Sequence, residues 1–405
     1  MSILSARNDR TSSVPDSLRT DLAYTGPGTL AGRYMRMFWQ PVCVSDDLPS
    51  GRAVPIRIMS EQFTLYRGET GAAHVLAFRC AHRGSQLSTG WVEGDSIRCF
   101  YHGWTYDASG QCIDQPAEPE PFCEKVRLRS YPTQEHAGLI FVYFGEGEPP
   151  PLPRHPELEG KDAIVEARAS IVYPCNYFNR IDNATDMSHT TFAHFGLRHR
   201  PEGGFKFNAP TIEARETEYG ALIVGEYTGD PVQKVHHYFM PNYNEFGLRA
   251  EDPAEAKSRV RFSWKVPLDD SHAVNFLATR IYLTGEAAER YRSRQPDGGG
   301  HERSLGEPPL ELVESMLAGR LYVQDLADRP EGVALGDLTT MVGQGVIADR
   351  ANDRLGRSDA GVILVRKMWE RELRALAEGR PLKQWARPVG LEMTEWSPKR
   401  TEVTA

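Results

Sequence analysis

Two short segments in the first third of the chain each pair one cysteine with one histidine. They are Cys80-Ala-His82 and Cys99-Phe-Tyr-His102, with sixteen residues between them. Zinc sites usually pair like ligands, with two cysteines in one segment and two histidines in another. The alternating order suits two metals instead, because each segment can give its cysteine to one metal and its histidine to the other. A zinc site and four unrelated residues are the alternatives.

This ligand order is that of a Rieske [2Fe-2S] centre, in which imidazoles replace two of the four thiolates and raise the reduction potential. The sequence therefore predicts an electron-carrying cluster bound by Cys80, His82, Cys99 and His102. The remaining cysteines show no disulfide-framework spacing and are expected to be reduced thiols, at positions Cys43, Cys112, Cys123 and Cys175.

The bulk composition is that of an ordinary globular protein. The chain has 405 residues, of which 40% are hydrophobic and 25% charged, and this length allows two domains. A net charge of −8 argues against nucleic acid as a partner. The sequence contains neither an apolar run of about 18 residues nor a secretory-type apolar segment near its start. We therefore expect a cytoplasmic protein with no membrane partner.

The pattern along the chain predicts an α+β protein with two domains. Short alternating strands with turns between them fill residues 25 to 144, and a proline-dense stretch at 145–156 cannot pair as a strand. We predict a flexible lead at 1–24, a small all-β cluster domain at 25–155, and a larger catalytic domain at 156–405. The larger domain should combine a twisted antiparallel sheet with helices, including one near 359–378.

A second candidate metal site lies in the larger domain. Asp186, His189 and His194 follow one another at spacings of three and five residues. On one helix, Asp186 and His189 would share a face. His189 and His194 would lie about 140° apart, so both can bind one metal only where the helix ends or distorts. Two histidines and a carboxylate form the facial triad of oxygen-activating Fe(II), whereas two buried core histidines are the alternative.

Taken together, these motifs resemble the terminal oxygenase (α) component of the Rieske non-heme iron oxygenases, most closely the phthalate dioxygenase type. The resemblance covers nearly the whole chain. It rests on Phe38-Trp-Gln-Pro, Cys80-Ala-His-Arg-Gly, Cys99-Phe-Tyr-His-Gly-Trp, Asn176-Tyr-Phe-Asn-Arg-Ile-Asp-Asn-Ala-Thr-Asp-Met-Ser-His, Gly345-Val-Ile-Ala-Asp-Arg and Leu355-Gly-Arg-Ser-Asp.

The resemblance implies a third iron ligand and a route for electrons. The ligand is Asp337, a short distance before Gly345, with Asp325 as the competing position. Asp186 would couple the cluster to the mononuclear iron by linking a cluster histidine to an iron-ligand histidine across a subunit boundary, in a homotrimer. Asn183 would hydrogen-bond near the iron.

The family's activity sets the expected reaction. Electrons would come from a separate NAD(P)H-dependent reductase, with a flavin, a ferredoxin or both. With O2, the iron would hydroxylate an aromatic, carboxylated compound or remove an O- or N-alkyl group from it. Such a carboxylate needs a cation, and the candidates are Arg198, Arg200, Arg249 and Arg261. A Rieske-type electron carrier and a metal-dependent hydrolase are the alternative functions.

Overall fold

The computed structural model describes residues 22–160, 163–195, 208–229, 232–248, 259–294, 310–326, 329, 331–388, 391 and 396–398. Most of the predicted lead at 1–24 lies outside these ranges. Six α-helices occur among the described residues: α1 (Leu30–Arg36), α2 (Tyr177–Thr185), α3 (Gly285–Arg294), α4 (Leu310–Leu317), α5 (Gly332–Gly343) and α6 (Ala360–Ala377). The predicted helix near 359–378 is confirmed by α6, and Gly379 follows it with a φ of 65°.

Eleven strands precede the proline-dense stretch in the described chain. They are β1 (Trp39–Val44), β2 (Arg52–Ile58), β3 (Glu61–Arg67), β4 (Ala73–Ala77), β5 (Trp91–Glu93), β6 (Ser96–Arg98), β7 (Thr105–Tyr106), β8 (Cys112–Asp114), β9 (Ser130–Tyr131), β10 (Thr133–His136) and β11 (Leu139–Tyr143). They form three antiparallel sheets, with strand orders β1-β11-β10, β2-β3-β4-β9 and β5-β6-β7-β8. The first cysteine–histidine segment follows β4, and the second joins β6 to β7.

One eight-stranded antiparallel sheet dominates the rest of the chain. Its strands are β12 (Ile164–Ala169), β13 (Thr211–Glu216), β14 (Gly220–Glu226), β15 (Val232–Phe239), β16 (Tyr243–Leu248), β17 (Arg259–Pro267), β18 (Ala273–Ile281) and β19 (Trp396–Pro398). Their order is β12-β18-β17-β16-β15-β14-β13, with β19 paired to β15. Strands β12 and β13 lie at opposite edges of the sheet, and helix α2 falls between them in the sequence. The predicted α+β architecture is confirmed.

Both faces of the large sheet are covered, which explains why its central strands are buried along most of their length. On one face, the Tyr238 hydroxyl accepts a hydrogen bond from Trp369 Nε1 of α6 at 3.0 Å. On the other face, the Trp264 ring packs edge-on against Phe141 of β11, with centroids 5.5 Å apart. One hydrophobic core therefore spans the first strands and the large sheet.

A buried carboxylate fixes helix α2 to the C-terminal part of the chain. Asp182 is 8% exposed and accepts hydrogen bonds from Arg350 Nε at 2.9 Å and from Arg366 Nε and NH2, each at 2.9 Å. Arg366 extends from α6 and also contacts the more exposed Asp353 at 2.7 Å. Three segments distant in sequence are thus joined through one side chain.

This contact predicts a strong effect of removing the Asp182 carboxylate. Asp182→Ala should lower the free energy of unfolding by about 3 kcal/mol, because two largely buried guanidinium groups lose their common anion. Asp353→Ala is the matched control and should cost about 1 kcal/mol or less, since that carboxylate is partly solvated. The midpoints of thermal unfolding of both variants measure the difference. Equal midpoints for the two variants would contradict the assignment.

Candidate metal centres

The two cysteine–histidine segments form equivalent loops. In each loop the glycine four residues after the cysteine donates its backbone N–H to the cysteine carbonyl: Gly84 to Cys80 and Gly103 to Cys99, both at 3.0 Å. Both glycines have left-handed φ values, 71° and 76°, which suit residues without a Cβ. The repeated geometry brings one cysteine and one histidine from each loop to the same place.

The four side chains fit a cluster that binds two thiolates and two imidazoles. Cys80 and Cys99 are 3% and 1% exposed, and the rings of His82 and His102 lie 4.5 Å apart. His82 also stacks on Trp104 with an interplanar angle of 5°. Its Nδ1 is buried without a hydrogen-bond partner, which is costly for a polar atom unless another group binds it. A metal at this nitrogen satisfies it.

Tyr106 lies beside the cluster loops and is not part of either cysteine–histidine motif. Its hydroxyl accepts a hydrogen bond from the Ala81 N–H at 3.1 Å and lies 3.2 Å from Cys80 Sγ. Burial, followed by the contact with Cys80, raises the pKa of Tyr106, so the hydroxyl stays protonated and can donate to the sulfur. Its sequence signal is weak, because a tyrosine in a short buried strand ordinarily indicates packing.

The candidate iron site begins where helix α2 ends. The helix stops at Thr185, and Asp186 is extended, so the prediction that Asp186 and His189 share a helix face is wrong. The physical reason is local: Asp186 Oδ1 accepts hydrogen bonds from the backbone N–H groups of Ser188 at 2.8 Å and His189 at 3.3 Å. A short polar side chain that binds the backbone two or three residues ahead ends one helix and begins the next segment.

A π-helix then brings the two histidines together. Residues Thr190–Phe195 form this rare structure, in which backbone hydrogen bonds join residues five apart. Side chains five apart therefore lie near one face, which an ideal α-helix does not allow. The rings of His189 and His194 are 4.9 Å apart. The helix distortion that a shared metal requires is present at this position.

Asp337, on α5, completes a group of three ligands. Its Oδ1 lies 2.9 Å from His194 Nε2 and 3.6 Å from His189 Nε2. All three ligand atoms lie within 4.8 Å of one another, and no other group of this kind occurs in the described part of the chain. Burial raises the pKa of Asp337, but the hydrogen bond to His194 and the nearby positive groups outweigh it, so the net pKa is lowered. The donor set fits one Fe(II) ion.

The competing aspartate, Asp325, lies elsewhere. It is exposed in a short 3-10 turn, Val323–Leu326, and its Oδ2 accepts the backbone N–H of Tyr322 at 2.9 Å. The structure therefore brings Asp337, and not Asp325, to the two histidines.

Asp186 and Asn183 contact opposite nitrogens of His189. Asp186 Oδ2 lies 3.6 Å from Nδ1, the nitrogen that faces away from Asp337. Asn183 Nδ2 lies 3.5 Å from Nε2, and its Oδ1 accepts a hydrogen bond from Arg180 NH1 at 3.0 Å. Asp186 is thus placed to orient the imidazole, and Asn183 is placed beside its ligand nitrogen.

The expected cations for a substrate carboxylate are only partly within the described residues. Arg198, Arg200 and Arg249 lie outside them. Arg261 lies on β17 and donates from Nε to the Thr279 hydroxyl at 3.1 Å. No motif pointed to Arg180, although it lies in the stretch from Asn176 to His189, because a charged residue in a helix is by default a surface residue.

No helix among the described residues is long and apolar enough to cross a membrane.

Known proteins resemble this chain at two levels, first in the region of the cysteine–histidine loops and then over most of its length. Residues 38–132 match the family model of the Rieske [2Fe-2S] domain, and this range includes both cysteine–histidine loops. The oxygenase subunit of a tert-butanol monooxygenase / tert-amyl alcohol desaturase from Aquincola tertiaricarbonis is 30% identical over 375 residues, covering 86% of this chain and 75% of that protein.

Two further matches extend over most of the chain. The oxygenase subunit of 3-chlorobenzoate-3,4-dioxygenase from Comamonas testosteroni is 30% identical over 397 residues, covering 88% of each chain. A solved complex of oxygenase and ferredoxin from carbazole 1,9a-dioxygenase has the same fold, with a TM-score of 0.59 and 19% identity over 87% of this chain and 94% of that chain.

The Rieske domain model and two oxygenase subunits, each 30% identical over 86% and 88% of this chain, indicate the same family. The chain belongs to the Rieske non-heme iron oxygenases, as a terminal oxygenase component with a [2Fe-2S] cluster and a mononuclear iron.

Proposed function

We propose that this oxygenase takes electrons from a separate NAD(P)H-dependent reductase and uses O2 to hydroxylate or O-/N-dealkylate an aromatic, carboxylated compound. The observation that carries the proposal is the convergence of His189, His194 and Asp337 within 4.8 Å. Three ligands on one side of a metal leave positions open on the other side for O2 and substrate.

Each residue of the proposed site has a task that follows from its contacts. When bound, Fe(II) at such a triad supplies oxygen activation. Asp186 holds the orientation of the His189 ring through Nδ1, as carboxylates beside ligand histidines do. Arg180 orients the Asn183 amide, so that its N–H groups face the ligand side of His189. Cys80, His82, Cys99 and His102 hold the cluster.

The substrate class rests on the relatives and on charge. The relative from Comamonas testosteroni is named for 3-chlorobenzoate, which is an aromatic carboxylate, whereas the relative from Aquincola tertiaricarbonis is named for alcohols. We favour an aromatic carboxylate over an alcohol as the substrate, because the positively charged Arg180 lies beside the proposed iron site. Oxidation at a carbon that bears oxygen or nitrogen leads to dealkylation by the same chemistry, so both reaction types belong to the proposal.

Electron supply requires a partner. The chain has no dinucleotide-binding fingerprint, and the solved carbazole oxygenase is in complex with a ferredoxin. A pure electron carrier would need only the proposed cluster domain at 25–155 and would leave the triad in the proposed catalytic domain at 156–405 without a task. A metal-dependent hydrolase would leave the iron–sulfur cluster without a task.

The route between the two centres is proposed to cross from one subunit to the next in a trimer. Within the described residues of one chain, the His102 ring contacts His82 and Tyr101, and no contact joins it to Asp186. Phe100 and Tyr101 beside it are 63% and 55% exposed, an amount unusual for aromatic rings and suited to burial against a neighbour. A head-to-tail ring would bring His102 of one chain to Asp186 of the next.

The test of this function is oxygen uptake with a reductase, NADH and a panel of aromatic acids and aryl methyl ethers. The purified protein should be brown and hold about three irons per chain, two in the cluster and one mononuclear. Substrate-dependent uptake, with label from 18O2 in the product, is the expected result. Electron transfer to an acceptor with no substrate oxidation would instead indicate a carrier. Loss of colour in Cys80→Ser checks the cluster ligands.

The third iron ligand can be tested directly. Asp337→Ala should remove the mononuclear iron and the activity while leaving the visible spectrum of the cluster intact, because only the triad loses a ligand. Asp325→Ala is the matched control and should retain both. Iron analysis and visible spectroscopy on the two variants measure this. Retained iron in Asp337→Ala, with loss in Asp325→Ala, would place the ligand at Asp325.

The coupling role of Asp186 gives a further prediction. Asp186→Asn should keep both metal sites but slow the oxidation of the pre-reduced cluster by O2 about 100-fold or more. An amide is nearly isosteric with a carboxylate but carries no charge and has only one acceptor oxygen. Iron content and single-turnover absorbance are the measurements.

A mixed oligomer tests the subunit boundary. Asp186→Asn chains mixed with His102→Ala chains should regain partial activity, because some interfaces pair an intact Asp186 with an intact His102. No recovery in verified mixed oligomers would exclude transfer between chains through these two residues.

A further inference from the structure

A buried lysine lies on the helix-covered face of the large sheet, with no acidic partner. Lys265 of β17 is 1% exposed, and its ammonium group donates one hydrogen bond, to the Ser263 carbonyl at 3.0 Å. An ammonium group has three donors, and this lysine forms no ion pair with a carboxylate of the described residues. Burial, followed by the charge of Arg180, lowers the pKa of Lys265 well below its usual range, and a carboxylate bound beside the amine would favour its protonated form.

Arg180 approaches the same place from helix α2. In the amide orientation that satisfies the Asn275 side chain, its oxygen accepts hydrogen bonds from Arg180 NH2 at 2.6 Å and Nε at 3.2 Å. Asn275 is the cross-strand neighbour of Lys265 on β18, so both basic residues adjoin Asn275. The guanidinium also lies 4.9 Å from the Tyr173 ring. It too forms no ion pair with a described carboxylate.

This absence is unusual within the molecule. Other largely buried arginines of the described chain have acidic partners: Arg350 and Arg366 bind Asp182, and Arg387 binds Glu245 at 3.0 Å. A basic side chain away from water is costly to keep charged unless an anion pairs with it, so this arrangement favours the binding of an anion. Asn244, on the strand next to β17, adds a buried side-chain oxygen without a partner. If the positions of the oxygen and nitrogen of this amide were exchanged, its N–H group could donate a hydrogen bond to a ligand.

The two cations also adjoin the proposed iron site. Arg180 NH1 contacts Asn183 Oδ1, and Asn183 Nδ2 lies 3.5 Å from His189 Nε2. The same NH1 lies 3.4 Å from the sulfur of Met341, one turn beyond Asp337 on α5. An anion held at the guanidinium would therefore place the rest of its molecule near the triad.

We propose that Lys265 and Arg180 form a carboxylate-binding subsite beside the proposed iron site and give this oxygenase a preference for aromatic acids over neutral aromatic compounds. The inference deepens the proposed function and rests on it for the nature of the substrate. It assigns to these two residues the role for which Arg198, Arg200, Arg249 and Arg261 were the candidates.

The experiment compares benzoate with its neutral isostere benzamide in the iron-loaded oxygenase, without reductase. Calorimetric titration of the wild type should show that benzoate binds at least ten times more tightly. Lys265→Met should reduce this ratio by about 10- to 100-fold, because a hydrogen bond to a charged group is lost. Lys367→Met, at an exposed position of α6, is the control and should leave the ratio unchanged.

Two results would overturn the inference. One is equal affinity of the wild type for benzoate and benzamide, a measurement that needs no variant. The other is an unchanged ratio in a Lys265→Met protein that keeps its iron and its unfolding temperature. Neither result depends on turnover, so a chain that fails the oxygen-uptake test can still pass this one. A chain that oxidises only neutral aryl ethers would retain the proposed oxygenase chemistry and lose the acid preference.

Discussion

The candidate iron site depends on where helix α2 stops. Had the helix continued beyond Thr185, His189 and His194 would point in different directions. Asp186 ends it by accepting the next backbone N–H groups, and the π-helix that follows brings the two imidazoles to one side. The ligand geometry is thus produced by the backbone, and one aspartate both ends the helix and faces a ligand histidine.

That local arrangement needs a rigid support, and the buried Asp182 supplies it. Its bonds to Arg350 and Arg366 tie α2 to the chain after α5 and to α6. Asp337 comes from α5, so the same contacts limit how far the third ligand can move relative to the histidines. The large sheet adds stiffness, because one apolar core continues from the first strands through it. A loop-based site would hold three ligands less closely.

How much could be read from the sequence differs from residue to residue. The cluster loops are local, and residues close in the chain with left-handed glycines almost determine their own geometry. The pair His189 and His194 was recognisable, but its π-helix was not, since the helical pattern alone cannot show where tertiary contacts distort a turn. Asp337 lies far along the chain and was inferred only from resemblance. Lys265 was missed because buried lysines are rare and no periodicity reveals them, and Arg180 because a charged residue in a helix is by default a surface residue.

The balance of charge connects Arg180 and Lys265 to the metal site. A triad with a single carboxylate, Asp337, leaves a bound divalent ion with a net positive charge. Arg180 adds another positive charge close by, and it already lowers the pKa of Asp337 together with the two histidines. Neighbouring positive charges in a poorly solvated site repel each other, which weakens the binding of the metal ion. A substrate carboxylate between Arg180 and Lys265 would relieve this repulsion. Substrate and mononuclear iron are therefore expected to stabilise each other, and by linkage each should bind more tightly when the other is present.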